Sequence, residues 1–390
     1  MKYFDFAATC PLDPEAAETY IQTATHYFGN TSSLHDTGEN ANSLLELCRN
    51  ELAEMIGVLP EGVYFTSGGT ESNFLALESI ARGASIKGNH IVTGAAEHSS
   101  VHSVMTRLKN DGYEITFLPL TSKGMIDLNQ LRGAMREDTI LVSIQHANSE
   151  IGTIQPLKEI SAICKERNIL LHSDCVQSFG KIDLKSIIPY VDSLSISGHK
   201  VYGPKGIGAV YIHPEVPWSP LFPGSSHENG LRPGTVNVPA IAAMITAIQH
   251  LSAQKEELSL RFTNLRQSFL QALQPIEPLL TVHGAEDIHE QLPSILGLSI
   301  RGLEGQWLML ECNRKGYAIS TGTACHTGML SPSKTMKSLG YDDKTAKEFI
   351  RISFGCSTTE NDVKNLANTI VSIAQASSSF NSFKKPEILW

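Results

Sequence analysis

From about residue 60 to 215, short β-rich apolar runs alternate with helical patterns, and no other feature narrows the possible folds of this chain as far. The runs are Val63-Tyr64-Phe65, His90-Ile91-Val92, Ile115-Thr116-Phe117, Ile140-Leu141-Val142, Ile169-Leu170-Leu171 and Gly208-Ala209-Val210-Tyr211. Their length and their β-branched and aromatic content are those of strands. Strands that take turns with helices argue a largely parallel central sheet sandwiched by helices, an α/β fold. Between Pro239 and about Leu273 the pattern turns long and helical, with no glycine or proline inside, and predicts a single connecting helix. Beyond it, candidate strands near Ile295-Leu296-Gly297-Leu298, Ala318-Ile319-Ser320 and Ile350-Arg351-Ile352 indicate a smaller α+β domain. At 390 residues the chain is too long for one ordinary core. A large domain over residues 16–250 and a small one made of 1–15 plus 251–390 are expected.

Charge and cysteine usage remove several function classes. The formal charge of −9 comes without a basic block, so a nucleic-acid surface lacks its electrostatic footprint. A small-molecule substrate or a protein partner is expected instead. No apolar run is long enough to cross a bilayer, and no membrane association is expected. The opening Met1-Lys2-Tyr3-Phe4-Asp5-Phe6 lacks the basic region and long apolar stretch of a secretory signal, which leads to the expectation of a cytoplasmic protein. Seven cysteines (Cys10, Cys48, Cys164, Cys175, Cys312, Cys325 and Cys356) form no Cys-x-x-Cys pair, and an odd count suits free thiols in a reducing compartment. Neither a zinc site nor a disulfide framework is indicated.

Five stretches could carry chemistry. In Val63-Tyr64-Phe65-Thr66-Ser67-Gly68-Gly69-Thr70-Glu71 a strand runs through glycines into a helical pattern. Glycines let backbone N–H groups approach an anion, the helix start supplies unpaired donors, and Thr70 adds a hydroxyl. An ordinary βα turn with a Thr N-cap explains the same residues. The run Ile169-Leu170-Leu171-His172-Ser173-Asp174 delivers an acid at a strand's carboxyl end, where ligands of open α/β sheets sit. Such an Asp can pair with a pyridinium nitrogen, or simply cap a helix. A third strand ends in Ser197-Gly198-His199-Lys200. A crowded site with a neighbouring cation can leave Lys200 partly unprotonated, as imine chemistry requires, although a lone strand-end Lys is usually just solvated. Glu97-His98 follows the strand at His90-Ile91-Val92, and an imidazole there could lie on a cofactor ring and shuttle protons. One of fourteen histidines could equally be a surface residue. Last, Ser320-Thr321-Gly322-Thr323-Ala324-Cys325-His326-Thr327-Gly328 is a small-residue, glycine-bounded stretch expected to form a loop, in which Cys325 has a nucleophile's setting. Cradle, strand-end acid and strand-end lysine at one sheet edge point together to pyridoxal phosphate held by Lys200 as a Schiff base.

These residues resemble the cysteine desulfurases of the NifS/IscS type, within the class V aminotransferase group of fold-type I pyridoxal-phosphate enzymes. The likeness takes in Tyr3-Phe4-Asp5-Phe6-Ala7-Ala8-Thr9, Phe28-Gly29-Asn30, Gly68-Gly69-Thr70-Glu71-Ser72-Asn73, Asn148-Ser149-Glu150-Ile151-Gly152, Asp174 with Gln177, Ser197-Gly198-His199-Lys200 and Arg232-Pro233-Gly234-Thr235-Val236-Asn237. The resemblance implies that Lys200 carries the cofactor, Asp174 pairs its ring nitrogen, Gln177 approaches its phenolic oxygen and His98 stacks on its ring. It implies a phosphate site of Gly69, Thr70, Ser197 and His199, completed by Thr235 from the other subunit of a homodimer. Arg351 would clamp the carboxylate of L-cysteine, a bidentate task suited to a guanidinium, and Cys325 would take the substrate's sulfur as a persulfide. The acceptor would be an iron–sulfur scaffold, a thiolation enzyme or a dedicated apoprotein. A selenocysteine lyase or a class V aminotransferase are the neighbouring activities. Four positions depart from the family's usual residues: Ser149 stands for an Asn that normally faces the cofactor, Gly69 for an Ala, Cys175 for an Ala and Cys356 for an Arg.

Overall fold

The computed structural model describes residues 1–224, 226–321 and 332–382. The chain opens on β1 (Lys2–Tyr3). A central sheet is built from β2 (Val63–Thr66), β3 (His90–Gly94), β4 (Glu114–Leu118), β5 (Thr139–Ser143), β6 (Leu170–Asp174), β7 (Ser193–Ser197) and β8 (Gly208–Ile212). The C-terminal third adds β9 (Leu280–His283), β10 (Ile295–Ile300), β11 (Tyr317–Ala318) and β12 (Phe349–Ser353). The central strands lie in the order β2-β8-β7-β6-β5-β3-β4, and a second sheet runs β12-β10-β9.

Side chains alternate across the central sheet with period two, as a sheet covered on both faces demands. Ile91, Leu141 and Val210 enter the core formed with the helices Gly69–Ala84 and Ser99–Asn110, whereas their neighbours Val92, Val142 and Ala209 enter the core on the opposite face. That second core continues without a break into Leu296, Leu298, Ile350 and Ile352 of the smaller sheet. Only the edge strand β4 leaves residues such as Glu114 and Phe117 exposed.

The central sheet is largely parallel, as expected, and within it β8 runs antiparallel to both β2 and β7. The connection of residues 198–207 is too short for a parallel crossover, which needs about a dozen residues or more. One expectation changes: the single connecting helix is two, Val238–Ala253 and Lys255–Ala272, broken at Gln254. The first is alanine-rich and buried nearly all round, while the second buries only the stripe Leu258, Phe262, Leu265 and Phe269 and opens with Glu256 and Glu257, acids that favour a helix start.

The N-terminus joins the C-terminal third. β1 pairs in parallel with β11, and Asp5 bridges to Ser353. Residues 5–10 are thereby laid across the end of β7, where Cys10 N–H donates to the His199 carbonyl at 2.9 Å.

Candidate active site

β2, β7, β6, β5, β3 and β4 all run the same way, so their carboxyl ends share one edge of the sheet. The cradle lies after β2. Gly68 has φ 144°, a conformation that side chains rarely adopt, and a Cβ on Gly208 would stand 2.7 Å from the Gly68 Cα. A Cβ on Gly69 would stand 2.6 Å from Val176 Cγ2, so the glycine that replaces the family's usual alanine makes room for Val176. The helix Gly69–Ala84 starts without a side-chain cap, Thr70 is exposed in its first turn, and a Cβ at Gly68 would lie 3.7 Å from Ser197 Oγ. Uncapped N–H groups and the hydroxyls of Thr70 and Ser197 therefore lie together at this edge of the sheet. Glu71 steadies the turn, accepting from Ser67 N–H at 2.5 Å and from Arg232 Nε at 3.3 Å.

Lys200 ends the short 3-10 turn that follows β7. Its Nζ donates to the carbonyls of Ala7 at 2.6 Å and Ala8 at 2.7 Å. Behind it lies an apolar cavity lined by Phe6, Cys10, Tyr202, Leu258, Phe262 and Phe354. Burial, helped by the cations of Arg351 and Lys181, lowers the Lys200 pKa to about 8. About a tenth of its amine is then neutral at pH 7, against roughly one part in several thousand for an ordinary lysine.

Asp174 closes β6 and is 7% exposed. Its Oδ1 accepts from Val176 N–H at 2.9 Å and its Oδ2 from Asn73 Nδ2 at 2.7 Å. His98 caps the helix Ser99–Asn110, with Nδ1 accepting from Ser100 N–H at 3.2 Å. Its ring is open to the cleft, yet the walls around it withdraw enough water to lower its pKa, an effect that Lys200 and Lys334 reinforce and Asp174 opposes. His199 is pushed down to about 4, by burial first and then by Lys200 and Lys205, and its Nδ1 lies 3.0 Å from Thr9 Oγ1. Gln177 donates from Nε2 to the Ala7 carbonyl at 2.9 Å and accepts at Oε1 from Lys181 Nζ at 3.3 Å.

Across the cleft, Arg351 is 4% exposed in β12. Its Nη2 lies 2.6 Å from Asp5 Oδ1 and its Nη1 donates to the Ser149 carbonyl at 2.9 Å, while Nε is buried without an acceptor among the described residues. Cys325 lies outside the described residues. Before it, Ser320 and Arg351 exchange both backbone hydrogen bonds, at 3.1 and 2.7 Å; after it, the Ser333 hydroxyl donates to the Glu150 carboxylate and Asn148 Nδ2 to Thr335 Oγ1 at 3.3 Å. Both approaches to the cysteine stretch are thus tied to residues 148–150 and 351. Burial raises all six described thiols, with Cys164, Cys175 and Cys312 at about 12, so none of them is disposed to be a thiolate. Thr235 is exposed in the loop before the helix Val238–Ala253 and makes no hydrogen bond among the described residues.

One edge therefore gathers Gly69, Thr70, His98, Asp174, Gln177, Ser197, His199 and Lys200, with Ser149 and Arg351 facing them and Thr235 apart. Sequence reasoning passed over the carbonyls of Ala7 and Ala8, Asp5 against Arg351, Lys181 against Gln177, and Asn73 between Asp174 and Ser100. The signal for the first two was the polar Asp5 and the small Ala7-Ala8 inside an aromatic opening.

Residues 2–366 match the family described as aminotransferase class-V. The chain is 45% identical over 369 residues to a putative cysteine desulfurase NifS of Bacillus subtilis (strain 168), a match covering 95% of this chain and 93% of the relative. It is 41% identical over 366 residues to the cysteine desulfurase IscS of Aeromonas hydrophila subsp. hydrophila, covering 93% and 89%. A solved NifS-like protein superposes with a TM-score of 0.88 at 32% identity, over 96% of this chain and 99% of the other. The chain belongs to the class-V aminotransferase family, with NifS and IscS cysteine desulfurases among its relatives.

Proposed function

We propose that the protein is a pyridoxal-phosphate-dependent cysteine desulfurase, which converts L-cysteine to L-alanine and loads the sulfur on Cys325 as a persulfide for an acceptor protein. The observation that carries this reading is the amine of Lys200, lowered to about 8 at the same sheet edge as the Gly68–Thr70 turn and the buried Asp174. The donor set fits the cofactor: uncapped N–H groups and hydroxyls for a phosphate, a buried acid for a ring nitrogen, a reactive amine for an aldehyde. When bound, pyridoxal phosphate acts as an electron sink that acidifies the α-carbon of an attached amino acid.

This chain's residues supply the rest. Gly69, Thr70, Ser197 and His199 would hold the phosphate, with Thr235 of the partner subunit. Asp174 would face the ring nitrogen, Gln177 and Ser149 the oxygen side, and His98 the ring face. The Arg351 guanidinium would bind the substrate carboxylate, whose oxygens can supply the acceptor that Nε lacks. Lys200 Nζ, once free of the cofactor, would take and return the α-proton. The Cys325 thiolate would attack the substrate sulfur: an S–S bond forms, the C–S bond breaks with its electron pair left on the carbon skeleton, and protonation there completes alanine.

The exposed Thr235, which makes no hydrogen bond among the described residues and lies apart from the other phosphate-site residues, supports a homodimer in which it serves the partner's site. Free thiols support a reducing compartment such as the cytoplasm. The pairing of β1 with β11 and the helix break at Gln254 support a division into residues 16–250 and 1–15 plus 251–390.

The test is incubation of the cofactor-loaded protein with L-cysteine and a thiol reductant. Alanine and sulfide in equal amounts, lost together in Cys325→Ser, are expected. A requirement for a keto acid would turn the reading to an aminotransferase, and full turnover of selenocysteine without Cys325 to a selenocysteine lyase.

A further inference from the structure

Asn73 is fully buried in the helix Gly69–Ala84, and three polar groups converge on its amide. Nδ2 lies 2.7 Å from Asp174 Oδ2 and 3.0 Å from Ser100 Oγ, while Oδ1 lies 3.2 Å from His172 Nε2. The direction of every bond follows from one fact: an ionised carboxylate only accepts. Asn73 must therefore turn its NH2 toward Asp174, which leaves Oδ1 for His172. Buried His172, lowered to about 3, is neutral; it donates from Nε2 and accepts at Nδ1 from the Ser193 hydroxyl at 2.7 Å. On the other side the second Nδ2 hydrogen goes to Ser100 Oγ, so the Ser100 hydroxyl proton is free for His98 Nδ1 at 2.8 Å. Ser100 N–H points at the same nitrogen at 3.2 Å. With two donors aimed at Nδ1, the proton of neutral His98 sits on Nε2.

We propose that Asn73 is a positioning residue that sets two functional groups at once, aiming the Asp174 carboxylate and fixing His98 as the Nε2–H tautomer. The inference rests on the cofactor reading above. It gives the site a division of labour: Asp174 and His98 touch the bound ring, and one amide behind them keeps the first an acceptor and the second a donor. His172, fixed as the Nε2–H tautomer by the Asn73 carbonyl, accepts in turn from the Ser193 hydroxyl.

The experiment is nitrogen-15 NMR of histidine-labelled, cofactor-loaded enzyme at neutral pH, with the rate of cofactor release measured on the same samples. In the wild type His98 is expected as the pure Nε2–H form. In Asn73→Ala the Ser100 hydroxyl is no longer oriented, which leaves the longer Ser100 N–H contact as the one fixed donor to Nδ1, and Asp174 loses a charge-assisted bond, so a fraction of the Nδ1–H tautomer of His98 appears and cofactor release quickens by about tenfold or more. Asn73→Ser retains a hydroxyl that can reach only one partner; it is expected to hold the cofactor better than Asn73→Ala while His98 is still mixed, and it serves if the alanine variant does not fold. His98 remaining wholly Nε2–H in a folded variant overturns the proposal. A wild type that takes up no pyridoxal phosphate overturns the cofactor reading instead, so the two failures are distinct.

Discussion

The two walls of the cleft are built differently. The proposed cofactor wall takes its residues from strand ends at one edge of the central sheet: Gly68–Thr70 after β2, Asp174 at the end of β6 and Ser197–Lys200 at and after the end of β7. Each sits in a short contiguous motif, and a fully hydrogen-bonded sheet holds the motifs in register. The proposed substrate wall joins Asp5, Ser149, Ser320 and Arg351 from four remote segments, and its central cation is already engaged by Asp5. A wall of strand ends is rigid before anything binds. A wall built around an occupied arginine must exchange one carboxylate for another.

Lys200→Ala should produce the largest effect, a loss of at least about 1000-fold in alanine formation with no change in far-ultraviolet circular dichroism, because no other amine replaces the nucleophile. Retained turnover would break the division between the walls. Gly69→Ala comes next. Its Cβ meets Val176 Cγ2, and overpacking of this kind costs about 1–3 kcal/mol, read as weaker cofactor binding. Adding Val176→Ala should restore binding, and failure to do so would mean that the cradle is less tightly defined than the contact implies.

On the substrate wall, Asp5→Asn leaves a buried guanidinium without its counter-charge. The thermal midpoint should fall, and L-alanine, which brings a carboxylate, should recover more stability in the variant than in the wild type. Equal recovery in both would show that Asp5 does not compete for Arg351. The last prediction concerns pH and leaves turnover aside. Lys200 is lowered from 10.5 to about 8 in the folded chain, so the unfolded chain binds more protons between those values and the cofactor-free protein gains stability as pH rises through that window. Lys200→Met lacks this titration. Its stability advantage over the wild type should be full below pH 8 and shrink toward pH 10.5, as chemical denaturation at a series of pH values can check.

The same contrast explains what could be read from the sequence. Gly69, Asp174 and Lys200 were legible because a strand pattern followed by a polar residue fixes both the position and the edge. The direction of β8 was legible in principle from the short 198–207 connection, but periodicity reports burial and not polarity of the chain. Asp5 with Arg351 was hidden by a separation of 346 residues. Asn73 was hidden differently: it lies within a quoted motif, but only the packing of its helix over β6 brings its amide to Asp174. The break at Gln254 left no glycine or proline to mark it.

The most direct test of the central claim is borohydride reduction of the cofactor-loaded protein followed by peptide mass analysis. Reduction should fix the cofactor on Lys200 and nowhere else, because Lys200 alone among the described residues combines a lowered amine with the strand-end position beside Asp174 and the Gly68–Thr70 turn. A label on Lys181 or spread over surface lysines, with Lys200 unmodified, would contradict it.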